Sequence, residues 1–130
     1  NWNPRLEKLA NTFWPGPLTV VAKVKDSVDL SNKVVSDQTL AIRVSPHKFT
    51  QDITKSVDFP LVSTSANISS LDSPYSIAEV EEMYKDKSPQ PDILIDGGSL
   101  DPTPPSTIVD TVGELEIIRE GSIPTENIFN

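Results

Sequence analysis

Short runs of β-branched and other apolar residues alternate along this chain with segments that carry apolar residues at helical spacing. The apolar runs predict strands, and they lie at 18–25, 39–44, 59–67, 92–96, 106–110 and 115–119. Helical spacing predicts helices at 4–13 and 46–55, and a capping box at Ser76 and Glu79 predicts a third. The class is therefore α/β or α+β with a mixed sheet, and we predict α/β with flanking helices.

Charge and composition narrow the kind of protein further. The net charge of −8 over 130 residues argues against broad electrostatic binding of nucleic acid, which needs a basic surface. The chain has no cysteine, and its one histidine, His47, cannot form a zinc site without partners. No apolar run approaches the roughly 20 residues of a membrane-spanning helix. We therefore expect a cytoplasmic globular protein.

A polar segment follows the apolar run that starts at residue 59. In an extended chain, residues two apart point to the same side, so Ser63, Ser65 and Asn67 would line one face together. Hydroxyl and amide groups both donate and accept hydrogen bonds, which suits phosphate oxygens and a metal-bound nucleotide. The alternative is a local turn in which these side chains only satisfy nearby backbone.

Two arginines lie at the ends of predicted strands. Arg119 is followed by Glu120 and Gly121, and its planar guanidinium suits a phosphate group, unless it only pairs with Glu116 or Glu120. Arg43 lies inside an apolar run, where a charged group needs a partner. It either points into a binding cleft or marks an exposed strand end.

Several blocks together resemble one known family, and they occur in its order. The resemblance rests on Phe13-Trp-Pro-Gly-Pro-Leu-Thr19, Leu40-Ala-Ile-Arg-Val44, Pro60-Leu-Val-Ser-Thr-Ser-Ala-Asn-Ile-Ser69, Asp96-Gly-Gly98, Pro105-Ser-Thr-Ile-Val-Asp110 and Ile118-Arg-Glu-Gly-Ser-Ile123. The chain is similar in these blocks to the YrdC-like domain of the threonylcarbamoyl-AMP synthases. The resemblance implies a YrdC-like twisted mixed sheet with flanking helices and an open cleft.

The resemblance also implies an activity and a set of binding residues. Such synthases condense L-threonine, bicarbonate and ATP into threonylcarbamoyl-AMP and release pyrophosphate, with Mg²⁺ accompanying the ATP. The product then serves a threonylcarbamoyl transferase complex that modifies tRNA. By resemblance, Ser65 and Asn67 bind the ATP phosphates, and Arg119 contacts ATP or the adenylate. The remaining residues expected at the nucleotide or substrate are Ser63, Thr64, Ser106, Thr107 and Arg43.

The sequence also departs from the family pattern. We interpret residues 1–130 as the C-terminal major part of a YrdC-like domain, because the family's Lys-x-Arg pair and Thr-Asp-Thr-type segment do not occur in them. The full-length protein is then expected to be active, and this fragment alone inactive and poorly soluble. The family often has glycine where Ser70 and Thr103 stand, and either change could alter a turn.

Two other functions remain open from the sequence. One is a carbamoyl-transfer domain of hydrogenase maturation, which would be part of a larger chain with further modules. The other is a non-catalytic module on the same fold that binds a nucleotide or double-stranded RNA. The charge of −8 weighs against RNA.

Overall fold

The computed structural model describes residues 2–130, and in this part of the chain the residues fall into two compact units. The first combines the residues up to Leu61 with Pro104–Asn130, and the second is Val62–Thr103. None of the helices in residues 2–130 is long and apolar enough to cross a membrane.

A four-stranded mixed sheet forms the centre of the first unit. Its strands are β1 (Leu18–Lys23), β2 (Thr39–Arg43), β3 (Thr107–Asp110) and β4 (Glu116–Arg119), in the order β2-β1-β3-β4. The central pair β1 and β3 is parallel, and both outer strands run antiparallel to their neighbours. The α/β class with a mixed sheet and flanking helices is confirmed.

One face of this sheet carries the core. Leu18 and Val20 of β1 and Val109 of β3 are fully buried. The residues that alternate with them along each strand, such as Thr19 and Ile108, are only half-buried. This alternation follows from the strand's pleat, which sends successive side chains to opposite faces. Residues from the helices and the C-terminal segment complete the core cluster, namely Leu6, Leu9, Ala10, Ile123 and Ile128. Thr19, Val21 and Ile108 lie on the opposite face and are half-buried.

Helix α1 (Pro4–Phe13) supplies much of that cover. Its start follows from the local sequence, because the Asn3 side chain accepts a hydrogen bond from Leu6 N at 2.8 Å and Pro4 lacks the hydrogen that this turn leaves unbonded. The helix ends at Phe13 with Trp14 as its C-cap, and the Pro15-Gly16-Pro17 turn follows. The sequence predicted these bounds, 4–13.

The other helices are shorter. Helix α2 (Lys48–Ser56) begins two residues after the predicted start, and α3 (Ile77–Tyr84) opens with the predicted capping box at Ser76 and Glu79. Helix α4 (Thr125–Phe129) was not predicted. Its single turn is too short for a helical pattern to show in the sequence.

Two predicted strands are wrong. Residues 59–67 and 92–96 form no strand, and their apolar side chains lie exposed, with Val62 at 75% and Ile93 at 78% of full exposure. A strand needs a neighbour for its backbone hydrogen bonds. Neither segment finds one within residues 2–130. An apolar run by itself does not indicate whether a partner strand is present.

Candidate substrate-binding site

Four residues lie side by side across the sheet of the first unit. Thr19 of β1 pairs with Arg43 of β2 and with Ile108 of β3, and Ile108 in turn pairs with Arg119 of β4. Because β1 and β3 begin where β2 and β4 end, two arginines from the outer strands flank residues from the two central strands. This row lies on the face opposite the core.

The hydroxyl group of Ser106 is hydrogen-bonded to two residues of this row, Thr19 and Arg119. Ser106 directly precedes β3, and its Oγ lies 2.8 Å from Thr19 Oγ1. Arg119 donates from Nε and Nη2 to the Ser106 carbonyl oxygen at 3.2 and 2.8 Å, and from Nη2 to Ser106 Oγ at 3.3 Å. The guanidinium therefore fixes both the backbone and the hydroxyl of Ser106. We call Thr19, Arg43, Ser106 and Arg119 the basic edge.

Arg43 is held in a similar way at the other end. Its Nε donates to the Gly16 carbonyl oxygen at 3.1 Å, and Gly16 N donates to Val44 O at 2.9 Å. A Cβ on Gly16 would lie 2.2 Å from the Phe13 carbonyl oxygen, so this turn requires glycine. The Pro15-Gly16-Pro17 turn thus positions Arg43 as well as ending α1.

The charges of the basic edge are not neutralised by the surrounding residues. Within residues 2–130, neither Arg43 nor Arg119 forms an ion pair with a carboxylate, although the chain carries 19 acidic residues. The sequence alternative of a salt bridge from Arg119 to Glu116 or Glu120 is therefore not what the structure contains. In this part of the chain, both terminal nitrogens of Arg43 and Nη1 of Arg119 have no hydrogen-bond partner. Two unpaired guanidinium groups beside two hydroxyls suit an anionic ligand.

The hydroxyl of Thr107, in contrast, is not available to a ligand. Its side chain is fully buried, and its Oγ1 donates to Ile123 O at 2.7 Å while it accepts from Gly121 N and Ile123 N, each at 3.0 Å. Its backbone N–H donates to Pro17 O. The predicted contact of Thr107 with nucleotide is therefore not available to this hydroxyl. It joins the start of β3 to the segment after β4 and so supports Ser106.

Thr19 is the residue that the sequence analysis did not select. The sequence alone leaves the role of Thr19 open, because its place beside Ser106 depends on the parallel register of β1 and β3. A local signal did exist, since Thr19 is a polar residue out of phase with Leu18 and Val20 in an otherwise apolar strand.

The other predicted residues lie in the second unit. Ser63, Thr64 and Ser65 are exposed, and Thr64 Oγ1 donates to Ser65 O at 3.2 Å. The chain bends at Ala66 and Asn67. A common face of Ser63, Ser65 and Asn67 requires an extended strand, and these residues form none. Three hydroxyls nevertheless remain uncovered in consecutive positions.

Asn67 has one side-chain atom bonded within a local turn and another that is left for a ligand, which are the two roles that the sequence allowed. Its Nδ2 donates to Leu71 O at 2.7 Å and to Ile68 O at 3.3 Å, as expected of a residue that closes a local turn. Its Oδ1, in contrast, is buried and has no hydrogen-bond partner among residues 2–130. Buried acceptors are nearly always satisfied in folded proteins, so this oxygen is suited to a ligand. The turn also places Ser70 at φ 73°, a conformation that favours glycine.

This architecture defines an α/β protein with a mixed four-stranded sheet and a basic, hydroxyl-bearing edge. The sequence matches the Sua5, YciO and YrdC family, described as "Telomere recombination", over residues 1–121, and the chain belongs to this family. The chain is also 34% identical over 125 residues to a threonylcarbamoyl-AMP synthase of Pyrococcus abyssi and 34% identical over 125 residues to that of Homo sapiens. These matches cover 94% and 88% of the chain but only 35% and 42% of the relatives.

Solved structures agree with the family assignment. A crystal structure of Pyrococcus abyssi Sua5 complexed with L-threonine superposes with a TM-score of 0.79 at 30% identity, over 98% of this chain and 37% of that one. Escherichia coli YciO superposes with a TM-score of 0.81 at 21% identity, over 97% of this chain and 60% of that one, which supports the fold alone.

Proposed function

We propose that this protein is a threonylcarbamoyl-AMP synthase. In this reaction the amino group of L-threonine and bicarbonate form a carbamate with loss of water, and a carbamate oxygen then attacks the α-phosphorus of ATP. The bond from that phosphorus to the bridging oxygen breaks, and pyrophosphate leaves. The observation that carries the proposal is the basic edge, where two unpaired guanidinium groups flank two hydroxyls in a family whose relatives are such synthases.

The basic edge supplies what the reaction needs from a protein. ATP, the carbamate and the pyrophosphate are all anions, so positioning and charge neutralisation lower the barrier without a protein nucleophile. Arg119 uses Nε and Nη2 to fix Ser106, which leaves Nη1 for the nucleotide. Ser106 is 9% exposed, and its hydroxyl is held between Thr19 Oγ1 and Arg119 Nη2. Arg43 offers a second guanidinium on β2, with β1 and β3 between it and Arg119.

The segment with Ser63, Thr64, Ser65 and Asn67 is proposed to bind the ATP phosphates. Its hydroxyls can donate to phosphate oxygens. The orphaned Asn67 Oδ1 is a hard oxygen of the kind that Mg²⁺ accepts, so this segment fits a magnesium–ATP complex. Magnesium would neutralise phosphate charge there, and it takes much of its coordination from phosphate and water. The protein's own contribution is to hold the nucleotide.

The proposal extends to the context of the reaction. L-Threonine and bicarbonate are the co-substrates, the adenylate passes to a transferase that modifies tRNA, and the protein acts in the cytoplasm. The synthases of Pyrococcus abyssi and Homo sapiens are more than twice as long as the region they share with this chain. We propose that the full-length protein is active and that these 130 residues alone are not.

Pyrophosphate release by the full-length protein tests the proposal. With ATP, magnesium and bicarbonate, release should depend on L-threonine and fall at least tenfold in Ser106→Ala and in Arg119→Gln, since each removes a hydrogen bond to a charged group worth about 1.5–3 kcal/mol. Ser27→Ala is the matched control, because Ser27 is an exposed serine that belongs neither to the basic edge nor to the segment with Ser63, Ser65 and Asn67. Release that ignores threonine, with ATP still bound, would favour a non-catalytic nucleotide-binding module.

A further inference from the structure

The turn at Asn67–Leu71 is attached to helix α3 through the thioether of Met83. Ile68 N donates to Met83 Sδ at 3.3 Å, across 15 positions of sequence. Sulfur is a weak acceptor, but no other acceptor within residues 2–130 receives this N–H. Met83 is the single methionine of the chain, and it is half-buried on the face of α3 that carries Val80. This contact lies wholly within the second unit.

Helix α3 is fixed at both ends, which makes it a firm support for this contact. The Glu79 carboxylate accepts from Ser76 N at 3.2 Å and from Tyr75 N, while Ser76 Oγ accepts from Glu79 N. At the other end, Gln90 Nε2 donates to the carbonyl oxygens of Tyr84 and Lys85. Both sets of bonds satisfy groups that a helix end leaves open.

The turn itself is closed by its own hydrogen bonds. Asn67 Nδ2 reaches Leu71 O, and Leu71 N reaches Ile68 O at 3.0 Å. These bonds fix the shape of the turn but not its orientation against α3. Among the hydrogen bonds of residues 2–130, the bond from Ile68 N to Met83 is the one that joins the turn to that helix. It acts one residue after Asn67, whose Oδ1 lacks a partner.

We propose that Met83 is a positioning residue for the Ser65 and Asn67 segment, acting through the Ile68 N–H. The inference rests on the proposed binding of ATP by that segment. Loss of the sulfur acceptor frees the turn to rotate against α3 and so misplaces Asn67 Oδ1. The expected effect requires no change in helix α3 and no change in the volume of the side chain at position 83.

The test compares three variants of the full-length protein. Met83→Leu keeps the size of the side chain and the helix propensity but removes the acceptor. Met83→Gln returns an acceptor of similar reach, its amide oxygen. Val80→Ala is the matched control, since it removes apolar contact from the same face of α3 and leaves the sulfur in place. Amide exchange of Ile68, ATP affinity and thermal midpoint are measured for each.

We expect Met83→Leu to speed exchange of the Ile68 amide and to weaken ATP binding about threefold, as a weak hydrogen bond predicts. Met83→Gln should restore both, and Val80→Ala should lower the thermal midpoint with ATP affinity unchanged. Unchanged Ile68 exchange in Met83→Leu overturns the inference. So does an equal loss of affinity in Val80→Ala, which would indicate a structural role alone.

A failure of the proposed function gives a different result. If wild-type protein does not bind ATP, or if Ser65→Ala binds it equally well, the segment is not a nucleotide site and the inference falls with it. If wild type binds ATP, Ser65→Ala weakens binding and Met83→Leu does not, then only the role of Met83 is wrong.

Discussion

Ser70 is strained in a way that its neighbour is not. Its φ of 73° lies in the left-handed region, where a side chain costs about 1–2 kcal/mol, whereas Ser69 has no positive φ. This explains in physical terms why the family pattern often places glycine at the position of Ser70. It also separates Ser70 from Thr103, the other position of that kind, whose φ is not positive.

We therefore expect Ser70→Gly to stabilise the turn by about 0.5–1 kcal/mol, because the relief of strain exceeds the added entropy of the unfolded chain. Ser69→Gly should destabilise it by a similar amount, since it adds entropy and relieves nothing. Amide exchange of Leu71, whose N–H bonds within this turn, measures both effects. Equal exchange rates in the two variants would show that the left-handed conformation is absent in solution.

At the scale of secondary structure, the segment after β4 crosses closely over the start of β3. A Cβ added to Gly121 would lie 2.1 Å from the Pro105 carbonyl oxygen and 2.7 Å from the Ser106 carbonyl carbon. Gly121 N also donates to Thr107 Oγ1. Glycine at this position is therefore part of what places Ser106 beside Arg119.

Gly121→Ala should accordingly destabilise the protein by about 1–3 kcal/mol, because two backbone segments must separate to admit the methyl group. Threonine-dependent pyrophosphate release by the full-length protein should fall as well, since Ser106 moves with its backbone. Gly113→Ala is the matched control, because no atom lies within 4 Å of the added carbon. Chemical denaturation measures the first effect. Similar midpoints for the two variants would contradict the close crossing.

The elements that the sequence predicted well are those with local causes. Helix α1 follows from Asn3, Pro4 and the proline-rich turn after it, and α3 follows from its capping box. Strands β3 and β4 follow from the two short apolar runs at 106–110 and 115–119. The strands at 59–67 and 92–96 failed because pairing is decided by distant residues.

In the candidate site too, the identity of the residues has local signals in the sequence, whereas their arrangement depends on distant residues. Ser106, Arg43 and Arg119 could be selected from family blocks, but their arrangement in one row depends on the register of four strands. The sequence does not indicate that Thr19 lies beside Ser106 or that Thr107 is buried, because both depend on the same strand register. Both residues lie at the start of a central strand, and only the pleat decides that Thr19 is on the face opposite the core while Thr107 is buried.

At the scale of the whole molecule, the two units differ sharply in burial. All buried apolar residues of the described chain belong to the first unit, whereas residues 62–103 contain none. Both units expose large apolar side chains, and those of the second unit include Val62, Leu71, Ile93, Ile95 and Leu100. Apolar exposure of this kind is associated with aggregation or with a partner surface. The expected poor solubility of these 130 residues alone stays a prediction.

The same contrast predicts where the chain opens first. Local stability follows burial and hydrogen bonding, so the second unit should unfold locally at a lower free energy than the first. Limited digestion by chymotrypsin, which cleaves after aromatic residues and leucine, should cut after the exposed Leu71, Leu94 and Leu100 before it cuts after the leucines of the first unit's core. Leu6, Leu9 and Leu18 are buried and serve as internal controls. If both sets were cut at the same rate, the chain would be unfolding as one cooperative unit, and unequal burial would not set its local stability.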